Sequence, residues 1–202
     1  MAAPSPLARE VNGWVRRVPT WPVYVLGFAY MAWLFVSGLG AVDPVEVIEH
    51  AFGLAALQIM VATLAVTPIR RLTGVMLVKF RRATGLMVFW FVLAHLLVWA
   101  VLDVQQLGAV WADIVKRPYI TIGMGAFLLL IPLALTSNDT VLRRIGPVLW
   151  RQIHWLTYPI AVLGGLHFAL LTKTWAFEPL AYLAVILALL ATRVPVRRLA
   201  TA

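Results

Sequence analysis

Residues 152–171 read QIHWLTYPIAVLGGLHFALL, a stretch without any Asp, Glu, Lys or Arg. About twenty residues of α-helix rise roughly 30 Å, which matches the thickness of the hydrocarbon layer of a membrane. The stretch therefore predicts a transmembrane helix. It carries two histidines, His154 and His167.

Similar apolar blocks occupy most of the 202-residue chain, which is 62% apolar and 12% charged and has a mean hydropathy of +0.90. A water-soluble domain of this length exposes far more polar surface. We therefore predict an all-α bundle of six transmembrane helices in a lipid bilayer. The predicted spans are residues 21–40, 50–68, 83–102, 119–136, 152–171 and 175–192.

Basic residues are concentrated on one side of the predicted bundle, which sets its orientation. Of the seventeen Lys and Arg residues, only Lys116, Arg117 and Lys173 fall in loops on the other side, beside most of the acidic residues. The positive-inside rule then predicts that both termini are cytoplasmic, as tails of residues 1–20 and 193–202 around a membrane domain of residues 21–192. The net charge of +9 therefore reflects topology, and we expect no nucleic-acid binding.

The first predicted span has one alternative interpretation, a cleaved signal peptide. Residues 21–40 follow Arg16 and Arg17 and end in small residues, as signal peptides do. Their length, their bulky aromatic residues and the odd number of spans that cleavage would leave favour a membrane anchor.

The four histidines are the candidate functional residues, because each lies within or at the end of a predicted span. Neutral imidazole is the standard nitrogen ligand of haem iron, and a b-type haem needs no covalent attachment to cysteine. The chain contains no cysteine, which excludes disulfides, thiolate metal sites and iron–sulfur clusters. The composition thus favours a membrane b-type cytochrome.

Depth in the membrane separates His95 and His167 from the other two histidines. At 1.5 Å per residue, His95 lies roughly 15–18 Å and His167 roughly 22 Å from the cytoplasmic ends of their spans. Both belong to the outer half, and we expect them to be the axial ligands of one haem. His154 enters by about one turn from the cytoplasmic side, and His50 lies at the outer edge. Either of these two could be a packing or interfacial residue. Alternatively, His154 could ligate a second haem in the cytoplasmic half of the membrane.

Glycines within the spans could let a flat macrocycle or a neighbouring helix approach the backbone, although plain helix packing is the commoner role of small residues in membranes. The glycines concerned are Gly53, Gly85, Gly123, Gly125, Gly164 and Gly165.

Several stretches of the chain resemble the MsrQ (YedZ) family of haem-binding membrane subunits, within the ferric reductase-like transmembrane superfamily. The matching stretches include IEHAFG at 48–53, RRATGL at 81–86, AHL at 94–96, KRPYIT at 116–121, WRQIHW at 150–155 and LHF at 166–168. The KRPYIT stretch and the fixed spacing of the last two histidines are the most specific of these matches.

This resemblance implies a b-type haem, an associated FMN and electron transfer to MsrP, a periplasmic molybdopterin enzyme that reduces methionine sulfoxide in oxidised proteins. It also implies the bacterial inner membrane as the location, and the quinone pool or a cytosolic flavin reductase as the electron donor. The family's histidines map onto His95, His154 and His167, with His50 as a further match. Two-haem members of the superfamily carry a histidine where this chain has Arg81, so the resemblance does not decide whether the chain binds a second haem.

On the residues alone, a second class of function stays open: a small transporter whose histidines relay protons or bind a metal ion without haem. That class favours acidic residues within the spans, whereas the acidic residues here fall almost entirely in loops. We therefore expect an electron-carrying subunit whose catalytic chemistry takes place on a partner. The outer connections at residues 103–118 and 172–178 are the expected docking surface, and the first of them has apolar residues at a spacing that predicts a short surface helix.

Overall fold

The computed structural model describes residues 5–171 and 176–193, and every regular element in this part of the chain is helical. The helices are α1 Pro6–Arg17, α2 Trp21–Gly38, α3 Pro44–Thr73, α4 Arg81–Leu97, α5 Leu107–Lys116, α6 Pro118–Leu135, α7 Asp139–His154, α8 Thr157–Leu171 and α9 Phe177–Ala191. A short 3-10 helix, Val78–Phe80, leads into α4, and a π-helical turn, Val98–Asp103, follows it.

The centre of the bundle consists of two helix pairs, α3 with α4 and α6 with α8. Helix α2 packs on the outside of the first pair, and α9 packs against α8 and α3. The core between them includes Leu64, Val88, Leu130, Ile160 and Ile186, one residue from each of α3, α4, α6, α8 and α9. These helices are apolar on all sides because their outer faces meet lipid rather than water.

Five helical segments are long and apolar enough to cross a membrane, which confirms an all-α, multi-pass membrane bundle. They are Trp21–Gly38, Pro44–Thr73, Val78–Asp103, Pro118–Leu135 and Asp139–Leu171. The sixth predicted span corresponds to α9, which has 15 residues and is shorter than the roughly 20 residues that cross a bilayer as a helix. Its predicted start at Trp175 lies outside the described residues. The number of six crossings and their orientation stay predictions.

The predicted helix at residues 152–171 is interrupted in the structure. Helix α7 ends at His154 and α8 begins at Thr157. The expectation that His154 and His167 share one continuous helix is therefore wrong. Pro159 accounts for the break, because it lacks the N–H that would bond to the Trp155 carbonyl. Tyr158 N donates to that carbonyl instead, at 3.1 Å, in a tighter turn.

The tail preceding the first predicted span contains a helix that the sequence analysis did not predict. Asn12 on α1 is 6% exposed, and its side chain bonds to the backbone of the loop between α3 and α4. Its Nδ2 donates to Gly74 O at 3.0 Å, and its Oδ1 accepts from Met76 N at 2.7 Å. Helix α1 is therefore fixed against the end of the bundle where that loop and the start of α4, with Arg81 and Arg82, lie.

Arg193, just after α9, bonds to the backbone of α3 near Pro68, a proline inside the C-terminal part of that helix. Pro68 cannot donate to the Leu64 carbonyl, the acceptor that lies four residues earlier in the helix. That carbonyl instead accepts from Arg193 Nη2 at 2.7 Å. The guanidinium thus satisfies a buried acceptor that the proline leaves without its usual partner.

The predicted surface helix in the connection at residues 103–118 is confirmed as α5, Leu107–Lys116. Its apolar side chains Leu107, Trp111 and Val115 are all exposed. They recur every four residues and so share one face of the helix.

Candidate cofactor site

A cavity of about 750 Å³ lies among α3, α4, α6 and α8, toward one end of the bundle. Its volume falls within the roughly 300–1,000 Å³ typical of cofactor and small-molecule sites. Much of its wall is apolar, with Leu57, Val92, Leu130 and Ile160 among the lining residues. A flat apolar macrocycle is therefore a suitable occupant.

His95, on α4, lines this cavity and is oriented by the backbone of α3. Its Nδ1 lies 2.9 Å from the carbonyl oxygen of Glu49. A carbonyl can only accept, so Nδ1 carries the proton and donates, which leaves the lone pair of Nε2 available to a metal.

His167, on α8, has the same arrangement with a different neighbouring helix. Its Nδ1–H donates to the carbonyl oxygen of Tyr119, on α6, at 2.7 Å. Nε2 is again the nitrogen with a free lone pair. Within the described residues, no protein group bonds to Nε2 of either His95 or His167.

The two imidazoles lie close enough to bind the same metal atom. Their ring centroids are 6.2 Å apart, and their planes are inclined by 78°. A metal–nitrogen bond of about 2.0 Å to each of two imidazoles on opposite sides of one metal places their ring centres roughly 6 Å apart. The spacing, the fixed tautomers and the cavity all fit a haem with two axial histidines.

The mouth of the cavity is acidic. Five carboxylate residues line it near the ends of α3, α4 and α9: Asp43, Glu46, Glu49, Asp103 and Glu178. Arg117 lies at the same mouth, where its hydrogen bond to the Tyr119 hydroxyl, and then the nearby Asp113 carboxylate, raise its pKa. We call this the acidic end of the bundle, as opposed to the basic end around Arg81 and Arg82.

His50 lies on the rim of the same cavity and is exposed. The structure places it close to the histidine pair but gives it none of the backbone anchoring that fixes the tautomers of His95 and His167. It is thus a rim residue of the cavity. The sequence predicts a span that begins at His50, whereas α3 begins at Pro44, so His50 lies more than one turn inside the helix.

The structure places His154 at the basic end, away from the cavity. Its Nδ1–H donates to the Trp150 carbonyl at 3.0 Å, its ring stacks on the Trp150 indole with centroids 3.8 Å apart, and its Nε2 is 3.4 Å from Ser137 Oγ. All four histidines are accounted for, so a second haem at this end would need a ligand other than histidine besides His154. Arg81, at the same end, has Arg193, Tyr158 and Arg70 among its neighbours.

Six glycines were candidates for close approach, and the structure separates them. A Cβ at Gly53 would lie 3.1 Å from His95 Nδ1, and one at Gly123 would lie 2.7 Å from His167 Nδ1. Gly165 packs against Ile186 and Leu183, whereas Gly85 and Gly125 face open space. Among these glycines, only Gly53 and Gly123 contact the histidine pair. The positions of the glycines in the sequence do not show which of them do so.

Comparison with known proteins agrees with this geometry. The family described as "Ferric reductase like transmembrane component" matches residues 51–165, a segment that includes His95 and His154 and ends just before His167. The "Protein-methionine-sulfoxide reductase heme-binding subunit MsrQ" of Brucella ovis is 46% identical, over 86% of this chain and 80% of that protein. The chain belongs to the MsrQ family.

Other members of the family are similarly close. The MsrQ subunit of Brucella anthropi is 44% identical and that of Brucella suis 46%, each over 86% of this chain and 80% of the relative. No solved structure matches the chain.

Proposed function

We propose that this protein is the haem-binding, electron-transferring membrane subunit of a methionine sulfoxide reductase system, with His95 and His167 as axial ligands of one b-type haem. The observation that carries the proposal is the pair of imidazoles 6.2 Å apart, each with Nδ1–H bonded to a backbone carbonyl. The names of the relatives, which describe a haem-binding subunit of that system, support the same function.

The residues around the cavity define what the protein contributes. A haem supplies one-electron redox chemistry when bound. His95 and His167 would occupy both axial positions, which leaves none for oxygen or substrate. The backbone carbonyls of Glu49 and Tyr119 accept hydrogen bonds from the Nδ1–H groups, which keeps the protons on Nδ1 and increases the basicity of the ligating Nε2 atoms. The site is therefore suited to passing electrons rather than to transforming a bound substrate.

The electron acceptor follows from the system to which the relatives belong. We infer that the acceptor is MsrP, a periplasmic molybdopterin subunit, and that the membrane is the bacterial inner membrane. The cavity opens toward the acidic end of the bundle, where α5 and the connection at residues 103–118 lie. That end would face the periplasm in the predicted orientation, whereas most of the expected contact segment 172–178 lies outside the described residues.

The electron donor, the flavin and a second haem are finer parts of the proposal. We propose the quinone pool or a cytosolic flavin reductase as the donor, and an associated FMN, on the resemblance to the family. His154 is the candidate for a second haem because it lies at the opposite end of the bundle from the histidine pair. Haem, iron and flavin measured per polypeptide on detergent-purified protein test these points together.

A visible spectrum of the purified protein tests the main proposal. We expect a Soret band that shifts and sharpens on reduction, with a low-spin bis-histidine signature. His95→Ala and His167→Ala should each remove this haem or convert it to a high-spin form, whereas His50→Ala should leave it low-spin. Full haem occupancy with an unaltered low-spin spectrum in both ligand variants would refute the assignment.

The alternative function, a haem-free transporter that binds a metal ion or relays protons, predicts no Soret band in that experiment. One structural observation disfavours its metal-binding form. In residues 5–171 and 176–193, no group of three or more His, Asp or Glu side chains could hold a metal ion.

A further inference from the structure

We propose that Gly53 and Gly123 are positioning residues, each of which seats one of the two histidine rings against a backbone carbonyl. The inference rests on the proposed function, because the rings matter most as haem ligands. It goes further by assigning a role to two residues that are not themselves ligands of the iron.

The two histidines are held by the same local motif on two different helices. His95 donates to the carbonyl of Glu49, and the residue four positions later on α3 is Gly53. His167 donates to the carbonyl of Tyr119, and the residue four positions later on α6 is Gly123. The same carbonyl-to-glycine spacing thus recurs at both ligands.

The spacing of four has a physical reason. In an α-helix the carbonyl of residue i already accepts from the N–H of residue i+4, so a second donor must reach its other lone pair beside residue i+4. A side chain at that position would occupy the approach path. Glycine leaves the path open, and the imidazole lies directly on the helix backbone.

The distances show how closely each ring fits. A Cβ at Gly123 would lie 2.7 Å from Nδ1 and 2.9 Å from Cε1 of His167, closer than carbon and nitrogen atoms can approach without a shift. A Cβ at Gly53 would lie 3.1 Å from Nδ1 of His95, which is tight but milder. Both contacts involve imidazole rings that are themselves fixed by a hydrogen bond, so neither ring can move without lengthening that bond.

Displacing a ring changes two properties of a haem ligand. The Nδ1–H···O=C bond raises the basicity of Nε2 and thereby favours ferric iron, so a weaker bond raises the midpoint potential. Rotation of a ring about its bond to iron changes the g values of the low-spin ferric state. Helix packing by itself predicts neither effect.

Gly123→Ala and Gly53→Ala test the proposal, with Gly125→Ala as the matched control. Gly125 lies on the same helix as Gly123 and has open space where a Cβ would stand. The measurements are haem per polypeptide, the midpoint potential and the low-temperature EPR spectrum of the detergent-purified protein. We expect a raised potential and shifted g values in both test variants, with the larger change in Gly123→Ala, and wild-type values in Gly125→Ala.

Gly123→Ala could also lose its haem or fail to fold, in which case Gly53→Ala, with the milder contact, decides. Unchanged potentials and g values in a haem-loaded Gly53→Ala, and in Gly123→Ala where it folds, would overturn the inference. It also fails if Gly125→Ala shows the same shifts. Failure of the proposed function looks different, because either the unaltered protein would then show no Soret band or His95→Ala and His167→Ala would both retain a low-spin haem.

Discussion

The imidazoles of His95 and His167 face each other across one cavity with ring centroids 6.2 Å apart, although 72 positions separate them in the sequence. His95 lies on α4 and donates to the backbone of α3, and His167 lies on α8 and donates to the backbone of α6. All four central helices thus contribute to one site. Any change that moves one of them is expected to alter the spectrum of the bound haem.

Gly164→Leu should exclude haem without altering a ligand. Gly164 lines the cavity, and the nearest atom to a Cβ placed there is Leu57 Cδ1 at 3.8 Å, so a larger side chain can extend into the space. We expect haem titration of the apoprotein to show an affinity about tenfold lower, which corresponds to roughly 1.4 kcal/mol of binding free energy. Gly125→Leu, whose added side chain faces open space outside this cavity, is the control and should keep its haem.

His154→Ala should leave the haem between His95 and His167 intact. The His154 ring stacks on Trp150 and bonds to it at the basic end, and it is not part of the cavity wall. We expect an unchanged low-spin signal from that haem in EPR. A partial loss of total haem in this variant would indicate a second site at the basic end, whereas loss of the whole signal would contradict the separation of the two sites.

Arg193→Met should destabilise the bundle by about 1–3 kcal/mol, because the buried Leu64 carbonyl loses the donor that replaces the missing N–H of Pro68. Adding Pro68→Ala restores an N–H at position 68 and should recover part of the loss. The measurement is a double-mutant cycle of unfolding in mixed detergent micelles. Arg71→Met is the control, since Arg71 bonds to the exposed Thr192 carbonyl. An additive cycle would show that the arginine does not replace the proline's missing donor.

The orientation of the bundle is tested by reporter fusions. A reporter that is active only in the periplasm should be silent when fused after Ala202 and active when inserted near Gly108, at the start of α5. The expectation follows from the uneven distribution of Lys and Arg between the two sides. The reverse pattern would place the histidine pair in the cytoplasmic half of the membrane.

Charge reversal at Lys116 and Arg117 should slow electron delivery to the periplasmic partner while the haem spectrum stays normal. Both side chains are exposed at the junction of α5 and α6, and Arg117 pairs with Asp113 at 3.2 Å. Stopped-flow oxidation of the reduced protein by purified partner measures the effect. Arg143→Glu, an exposed change at the basic end, should have no effect on this rate. Equal rates in all variants would show that docking lies elsewhere.

Hydropathy and depth were sufficient to predict the helical membrane bundle and to place His95 and His167 together, because both follow from counting residues along single helices. Contacts between helices could not be obtained in that way. The bond from His95 to Glu49 and the contact with Gly53 depend on how α3 and α4 are rotated and shifted relative to each other. The break at Trp155 was also missed, since a run of apolar residues does not show that Pro159 interrupts the hydrogen bonds of a helix.

The link between Arg193 and the Leu64 carbonyl also bears on the order in which the chain is assembled. Ribosomes deliver α3 long before α9, so the third helix enters the bilayer with an acceptor that nothing synthesised up to then is placed to satisfy. The residue that completes it follows the last described helix, 129 positions later. A chain that ends before Arg193 therefore lacks the donor for a backbone carbonyl within the membrane, so the bundle reaches its full set of hydrogen bonds only when synthesis is nearly complete.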